Sequence, residues 1–133
     1  MTILELLLQT HLYMVKFFIF ALVLIGALPN ILRSNFVQMV FWSRIGYFLF
    51  WAAWTMVVFS GLLIFAVKRG ELNIAVIAMI AAAILLALLD GYRAIKLKKF
   101  WLKEENGLKF SNFIVLLEFI IVVAVTILAI QYR

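Results

Sequence analysis

Four long apolar stretches constrain this chain more than any other feature. They run over about residues 6–28, 45–67, 72–94 and 110–132. Each is long enough for an α-helix, rising about 1.5 Å per residue, to cross a hydrocarbon core about 30 Å thick. In lipid, backbone polar groups must be paired within the spanning segment, as they are in an α-helix. The sequence therefore predicts an all-α integral membrane four-helix bundle that forms a single transmembrane domain over residues 1–133.

Composition excludes a soluble globular protein, because 68% of the residues are hydrophobic and 14% are charged, against roughly 45–50% and 25% in soluble domains. The net charge is +6. Basic residues that flank membrane segments mark the cytoplasmic side, so this charge does not indicate nucleic-acid binding. Four crossings place the basic residues on two sides of the membrane. One side has Arg33, Arg44, Arg93, Lys96, Lys98, Lys99, Lys103 and Lys109, and the other has Lys68, Arg69 and Arg133. We therefore expect both termini on the non-cytoplasmic side of a bacterial inner membrane.

The two connections on the predicted cytoplasmic side, residues 30–44 and 95–109, mix basic and apolar residues. We expect the first helix to stop before Pro29, which blocks a helix hydrogen bond, and residues 30–44 to form a separate interfacial helix. Residues 95–109 look like a helix that leaves the membrane and turns at Asn106 and Gly107. Anionic lipid headgroups are the expected partners of both connections.

Ionisable residues inside the apolar stretches are candidates for function, because a charge near the bilayer centre costs at least about 2.5–3.5 kcal/mol. Lys16, Asp90 and Glu118 lie there. Measured from the cytoplasmic ends, Lys16 lies about 18 Å and Glu118 about 12 Å deep, so the two side chains are expected to meet. Asp90 precedes Arg93 by three residues, the spacing of a helical ion pair. The resulting network either fixes which helices are neighbours or relays protons.

Lys16 is expected to belong to a polar stripe on the first helix. The members are Glu5, Gln9, Tyr13 and Lys16, spaced four, four and three residues apart. This spacing places them on one face, which we expect to contact protein rather than lipid.

His11 is the single histidine, and the chain has no cysteine. It is either an interfacial residue that hydrogen-bonds a headgroup or a neighbouring backbone, or an axial ligand of haem b. In the second case the other ligand would be Met14, Met56, Met79 or His11 of a second subunit. Metal sites with thiolate ligands are excluded.

Small residues on the second and third helices permit close packing in lipid. We expect these helices to be neighbours through them: Ala53, Ser60 and Gly61 on the second, and Ala75, Ala78, Ala82 and Gly91 on the third.

The layout resembles a known family. The resemblance rests on His11 in the first helix, the segments 44–46 and 61–63 at the ends of the second, Gly91-Tyr92-Arg93 in the third, and residues 107–112 before the fourth. The chain resembles the oxygen-independent protoporphyrinogen oxidases and the related copper-resistance D-type membrane proteins. In the oxidases the histidine matching His11 is implicated in haem binding. The family's Trp-containing first-helix motif is absent from this sequence. The family also has a lysine early in the third helix, and the corresponding position here is near Val76. The resemblance therefore implies the family's four-helix scaffold rather than its oxidase activity.

Three functional hypotheses follow. The protein is a haem- or metal-linked relative of that scaffold that forms a homo-oligomer or binds another membrane protein; a non-catalytic accessory subunit of a larger membrane complex; or a small proton-coupled transporter that uses Lys16, Asp90 and Glu118.

Overall fold

Four helices make up the computed structural model, which describes residues 2–67, 74–105 and 107–131. They are α1 (Ile3–Ile31), α2 (Phe36–Val67), α3 (Ile74–Leu102) and α4 (Leu108–Gln131). Each contains an apolar stretch long enough to cross a membrane. The predicted all-α four-helix membrane architecture is therefore confirmed.

Helix α1 starts with a capping box. The Thr2 hydroxyl accepts a hydrogen bond from the Glu5 backbone N–H at 3.1 Å, and the Glu5 carboxylate accepts one from the Thr2 N–H at 3.4 Å. These contacts satisfy two of the N–H groups that a helix start leaves unpaired. The helix does not stop before Pro29, as the sequence predicted, but continues to Ile31. The Asn30 side-chain amide donates to the Gly26 carbonyl within this last turn, which supports a helix end interrupted by proline.

The expected interfacial helix over residues 30–44 is not separate. A short turn ends at Asn35, and α2 then runs unbroken from Phe36 to Val67. Met39, which we expected to face acyl chains, is fully buried, because it lies on the face of α2 that packs in the bundle. The first connection is therefore short, and most of its predicted length extends a membrane helix.

The second connection is also mostly helical, since α3 continues to Leu102. The chain then turns through Glu104 and Gly107, with φ angles of 59° and 63°. At Gly107 an added Cβ would lie 2.8 Å from the Phe100 ring, so both conformation and space require glycine there. The predicted turn at residues 68–71 lies outside the described residues, and so does Asn106.

Helices α1 and α2 pack through matching seven-residue repeats. On α1 the repeat runs through positions 11, 15, 18, 22 and 25, and on α2 through positions 39, 43, 46, 50, 53, 57 and 60. These positions are buried or partly buried, and alternating spacings of three and four residues are those of a left-handed helix pair. At the centre the rings of Phe18 and Phe50 lie 5.3 Å apart. We call the α1 positions the inner seam.

Helix α1 lies between α2 and α4, and α3 packs mainly on α4. The interface between α2 and α3 is the smallest of the four, and Trp54 Nε1 donates across it to the Ala83 carbonyl at 3.0 Å. Helices α2 and α3 are therefore neighbours, as predicted, although their interface is small. The small residues of α2 face α1 instead, since Gly61 lies against the His11 ring and Ala53 is buried in a cluster that includes Phe18 and Leu22 of α1.

The small residues of α3 have different surroundings. Ala82 is buried, Ala78 is half-buried, and an added Cβ at Gly91 would meet nothing within 4 Å. The side chain of Ala75 lies outside the described residues.

Candidate functional site: a buried carboxyl pair and arginine

A polar cluster lies buried between α3 and α4. Asp90 and Arg93, expected to pair from their spacing, form a salt bridge with Arg93 Nη2 2.9 Å from Asp90 Oδ1. Arg93 Nε donates to the same oxygen at 3.0 Å, and Nη1 donates to Ser111 Oγ on α4 at 3.2 Å. Asp90 is 0% exposed and Arg93 is 2% exposed. The guanidinium of Arg93 therefore binds the Asp90 carboxylate on its own helix and the Ser111 hydroxyl on α4.

Glu118 is the fourth member of the cluster and is also 0% exposed. Its carboxyl group lies beside that of Asp90. No donor among the described residues reaches either oxygen of Glu118 or Asp90 Oδ2. Two carboxyl groups therefore meet with no hydrogen between them unless one of them carries a proton.

The helix repeats place these side chains. On α4, positions 108, 111, 115, 118 and 122 are buried with alternating spacings of three and four, and on α3 the buried positions are 82, 86, 90, 93 and 97. Ser111 and Glu118 are seven residues apart on one seam, and Asp90 and Arg93 lie on the facing one. The chain thus puts all four polar groups in a helix interface rather than in lipid.

Lys16 is not part of this network. Its side chain is exposed on the outside of the bundle, and its ammonium lies 5.6 Å from the centre of the Tyr13 ring. The expected pair with Glu118 does not form, because Lys16 lies on the side of α1 away from its core-facing residues, such as Phe18 and Leu22. Glu118 instead lies beside Asp90. Lys16 is therefore not part of the predicted network of ionisable groups.

The whole polar stripe of α1 lies on the outside of the bundle, as Lys16 does. Glu5, Gln9, Tyr13 and Lys16 are all exposed, and Tyr13 is 69% exposed. The stripe therefore does not pack within this chain, because the opposite face of α1 is the one that packs on α2 and α4.

His11 joins α1 to α2. Its Nδ1 lies 2.6 Å from Ser60 Oγ, and the Ser60 hydroxyl donates to the Val57 carbonyl at 2.9 Å. The imidazole and the hydroxyl share this contact, and the tautomer of the ring decides which of the two donates. Within the chain, His11 therefore bonds a side chain of the neighbouring helix.

The imidazole of His11 is packed closely on α2. Its ring carbon Cε1 lies 3.4 Å from the position that a Cβ of Gly61 would take. The described residues contain no group of three or more His, Asp or Glu side chains suited to a metal ion. Haem binding therefore stays a prediction from the resemblance alone.

Two asparagines form a contact that sequence reasoning missed. The side-chain amides of Asn30 on α1 and Asn112 on α4 hydrogen-bond each other in both directions, at 2.6 and 2.8 Å. Their occurrence where apolar stretches end is the one signal the sequence offers. The pair ties α1 to α4 at the same end of the bundle as the Arg93 cluster.

No family model, curated protein or solved structure matches this chain. The function must therefore be argued from the residues themselves, and the buried cluster of Asp90, Arg93, Ser111 and Glu118 is where ionisable groups meet inside the membrane-spanning part.

Proposed function

We propose that this small membrane protein transports protons by binding and releasing them at the Asp90–Glu118 carboxyl pair. The observation that carries the proposal is the pairing of two buried carboxyl groups whose facing oxygens have no donor among the described residues. Arg93 neutralises one of the two charges. A second negative charge in the same buried site would stand without a counter-ion.

Charge and hydrogen bonding both favour one shared proton. With both carboxyl groups ionised the cluster would carry one net negative charge, and burying an uncompensated charge is far more costly than protonating it. A proton on the pair makes the cluster neutral and supplies the missing hydrogen bond. Two adjacent carboxyl groups that hold one proton between them are a known arrangement in enzymes.

The two carboxyl groups have different roles in this proposal. Asp90 accepts two hydrogen bonds from Arg93 on one oxygen, which stabilises its ionised form. Glu118 has no such partner and is the group that gains and loses the proton. Ser111 holds the guanidinium from the other helix, so a movement of α4 against α3 alters the distance between the proton and the positive charge.

A purely structural role is the competing interpretation, in which the cluster only fixes α3 against α4. Infrared spectroscopy of reconstituted protein separates the two, because a protonated carboxyl group absorbs at a frequency distinct from a carboxylate. We expect a carboxylic acid band that is absent in Glu118→Gln and that disappears when the medium is made alkaline enough to remove the proton.

Transport is tested in proteoliposomes. A potassium gradient with valinomycin drives protons inward, and an entrapped pH dye records the rate. We expect Glu118→Gln to lower the rate to that of protein-free vesicles, while the matched change Glu105→Gln, at an exposed turn residue, leaves it unchanged. An unchanged rate in Glu118→Gln would contradict the proposal, and failure of that variant to accumulate would assign the pair a structural role.

A further inference from the structure

We propose that the face of α1 opposite its inner seam binds a transmembrane helix of another protein that carries a carboxyl group at mid-bilayer depth, and that Lys16 is its partner. This face consists of Gln9, Tyr13, Lys16, Phe20 and Val23, and we call it the outer seam. The inference does not depend on the proton site between α3 and α4.

The outer seam has the spacing of a helix-packing surface. Its members are four, three, four and three residues apart, and all are exposed. Tyr13, Phe20 and Val23 are 69%, 59% and 51% exposed. The spacing repeats that of the inner seam with a shift of two residues, about 200° around the helix, so α1 carries one packing repeat on each side. A single charged residue within such a repeat can select the partner.

The depth of Lys16 excludes lipid headgroups as its partners. Lys16 lies 13 residues after the start of α1 at Ile3 and 15 before its end at Ile31. Within the apolar stretch 6–28 it lies about 15 Å from one edge and about 18 Å from the other, beyond the reach of a four-carbon stem. No carboxylate of the described residues forms a salt bridge with it, and the Tyr13 ring at 5.6 Å is the contact that it makes. Ionisable side chains at this depth almost always face protein and pair with another group.

The charge pattern excludes a second copy of the chain as the occupant. Two parallel α1 helices related by a two-fold axis would bring Lys16 against its own equivalent, which places like charges together in hydrocarbon. The acidic residue of the same stripe, Glu5, is eleven residues away, about 16 Å along the helix. A carboxyl group at the depth of Lys16 must therefore come from a different chain.

The test uses a model transmembrane peptide as the probe. A leucine–alanine helix with one central Asp, and a matched peptide with Leu at that position, are each labelled with an energy-transfer acceptor and mixed with donor-labelled protein in phosphatidylcholine vesicles. The chain has no cysteine, so Glu105→Cys provides a single donor site on the exposed turn. We expect the Asp peptide to bind at least tenfold more tightly than the Leu peptide.

Two variants make the result specific. Lys16→Leu should remove the preference for the Asp peptide, whereas Lys96→Leu, which alters a lysine that contacts the Tyr92 ring in the same way, should keep it. Equal binding of the two peptides by the unaltered protein, or an unchanged preference in Lys16→Leu, would overturn the inference. So would efficient oxidative cross-linking of Tyr13→Cys to a second copy in the membrane, because the outer seam would then be occupied by the chain itself.

Discussion

Replacing Glu118 by glutamine or by alanine tests the shared proton through stability. Glutamine keeps the size of the side chain and its amide donates the hydrogen bond to Asp90 that the protonated carboxyl would donate. We therefore expect Glu118→Gln to change the free energy of unfolding by less than about 1 kcal/mol, the net value of a typical hydrogen bond. Alanine leaves Asp90 Oδ2 without a donor, which costs about 1–3 kcal/mol. The emptied volume, roughly 50 Å³ at about 24 cal/mol per Å³, adds about 1 kcal/mol.

The expected loss for Glu118→Ala is thus about 2–4 kcal/mol. Unfolding by sodium dodecyl sulfate in bicelles, followed by tryptophan fluorescence, measures both variants. If both carboxyl groups were ionised, their repulsion at about 4 Å would be about 4 kcal/mol at an effective dielectric constant of 20. Glu118→Gln would then stabilise the protein by several kcal/mol, and that result would refute the reasoning.

Three further predictions rest on other contacts. Ser60→Ala removes the hydrogen-bond partner of the His11 imidazole and should lower the unfolding free energy by about 0.6–1.7 kcal/mol, the range of interhelical hydrogen bonds in membranes; no loss would mean that this contact contributes nothing. Gly46→Leu should cost about 1–3 kcal/mol in the same assay, because even a Cβ there would lie 3.3 Å from an isoleucine side chain of α1, whereas Gly91→Leu, at a site with no neighbour within 4 Å, should cost less than 1 kcal/mol. Single cysteines beside Thr2 and Arg133 should react with a membrane-impermeant reagent from the same side, and labelling from opposite sides would contradict four crossings.

The number of helices and their membrane character could be read from the sequence because apolar length decides both. The positions of the helix ends were harder to predict from the sequence. The apolar stretch stops at the edge of the hydrocarbon region, but the helix continues as long as its backbone hydrogen bonds are satisfied. This is why α2 begins at Phe36 and α3 continues to Leu102. The effect of Pro29 was overestimated because a proline removes one backbone hydrogen bond, and in this turn the Asn30 side-chain amide donates to the Gly26 carbonyl.

The polar cluster was predictable in part. The spacing of Asp90 and Arg93, and of Ser111 and Glu118, is visible in the sequence. Their meeting depends on which helices are neighbours, and depth alone cannot settle that. Lys16 and Glu118 have compatible depths, but Lys16 lies on the outward face of α1. The inner seam is the side of α1 that packs on the other helices.

The order of helix contacts has a consequence for biogenesis. The most extensive interface joins α1 to α2 and the next joins α3 to α4, so each hairpin is made of helices adjacent in the chain. Contacts between sequence neighbours form quickly because little chain must be closed, and the first hairpin can assemble during synthesis. Docking of the two hairpins, through α1 and α4, must wait for the last helix. The buried acidic pair lies within the second hairpin, so its charges are already matched before that final step.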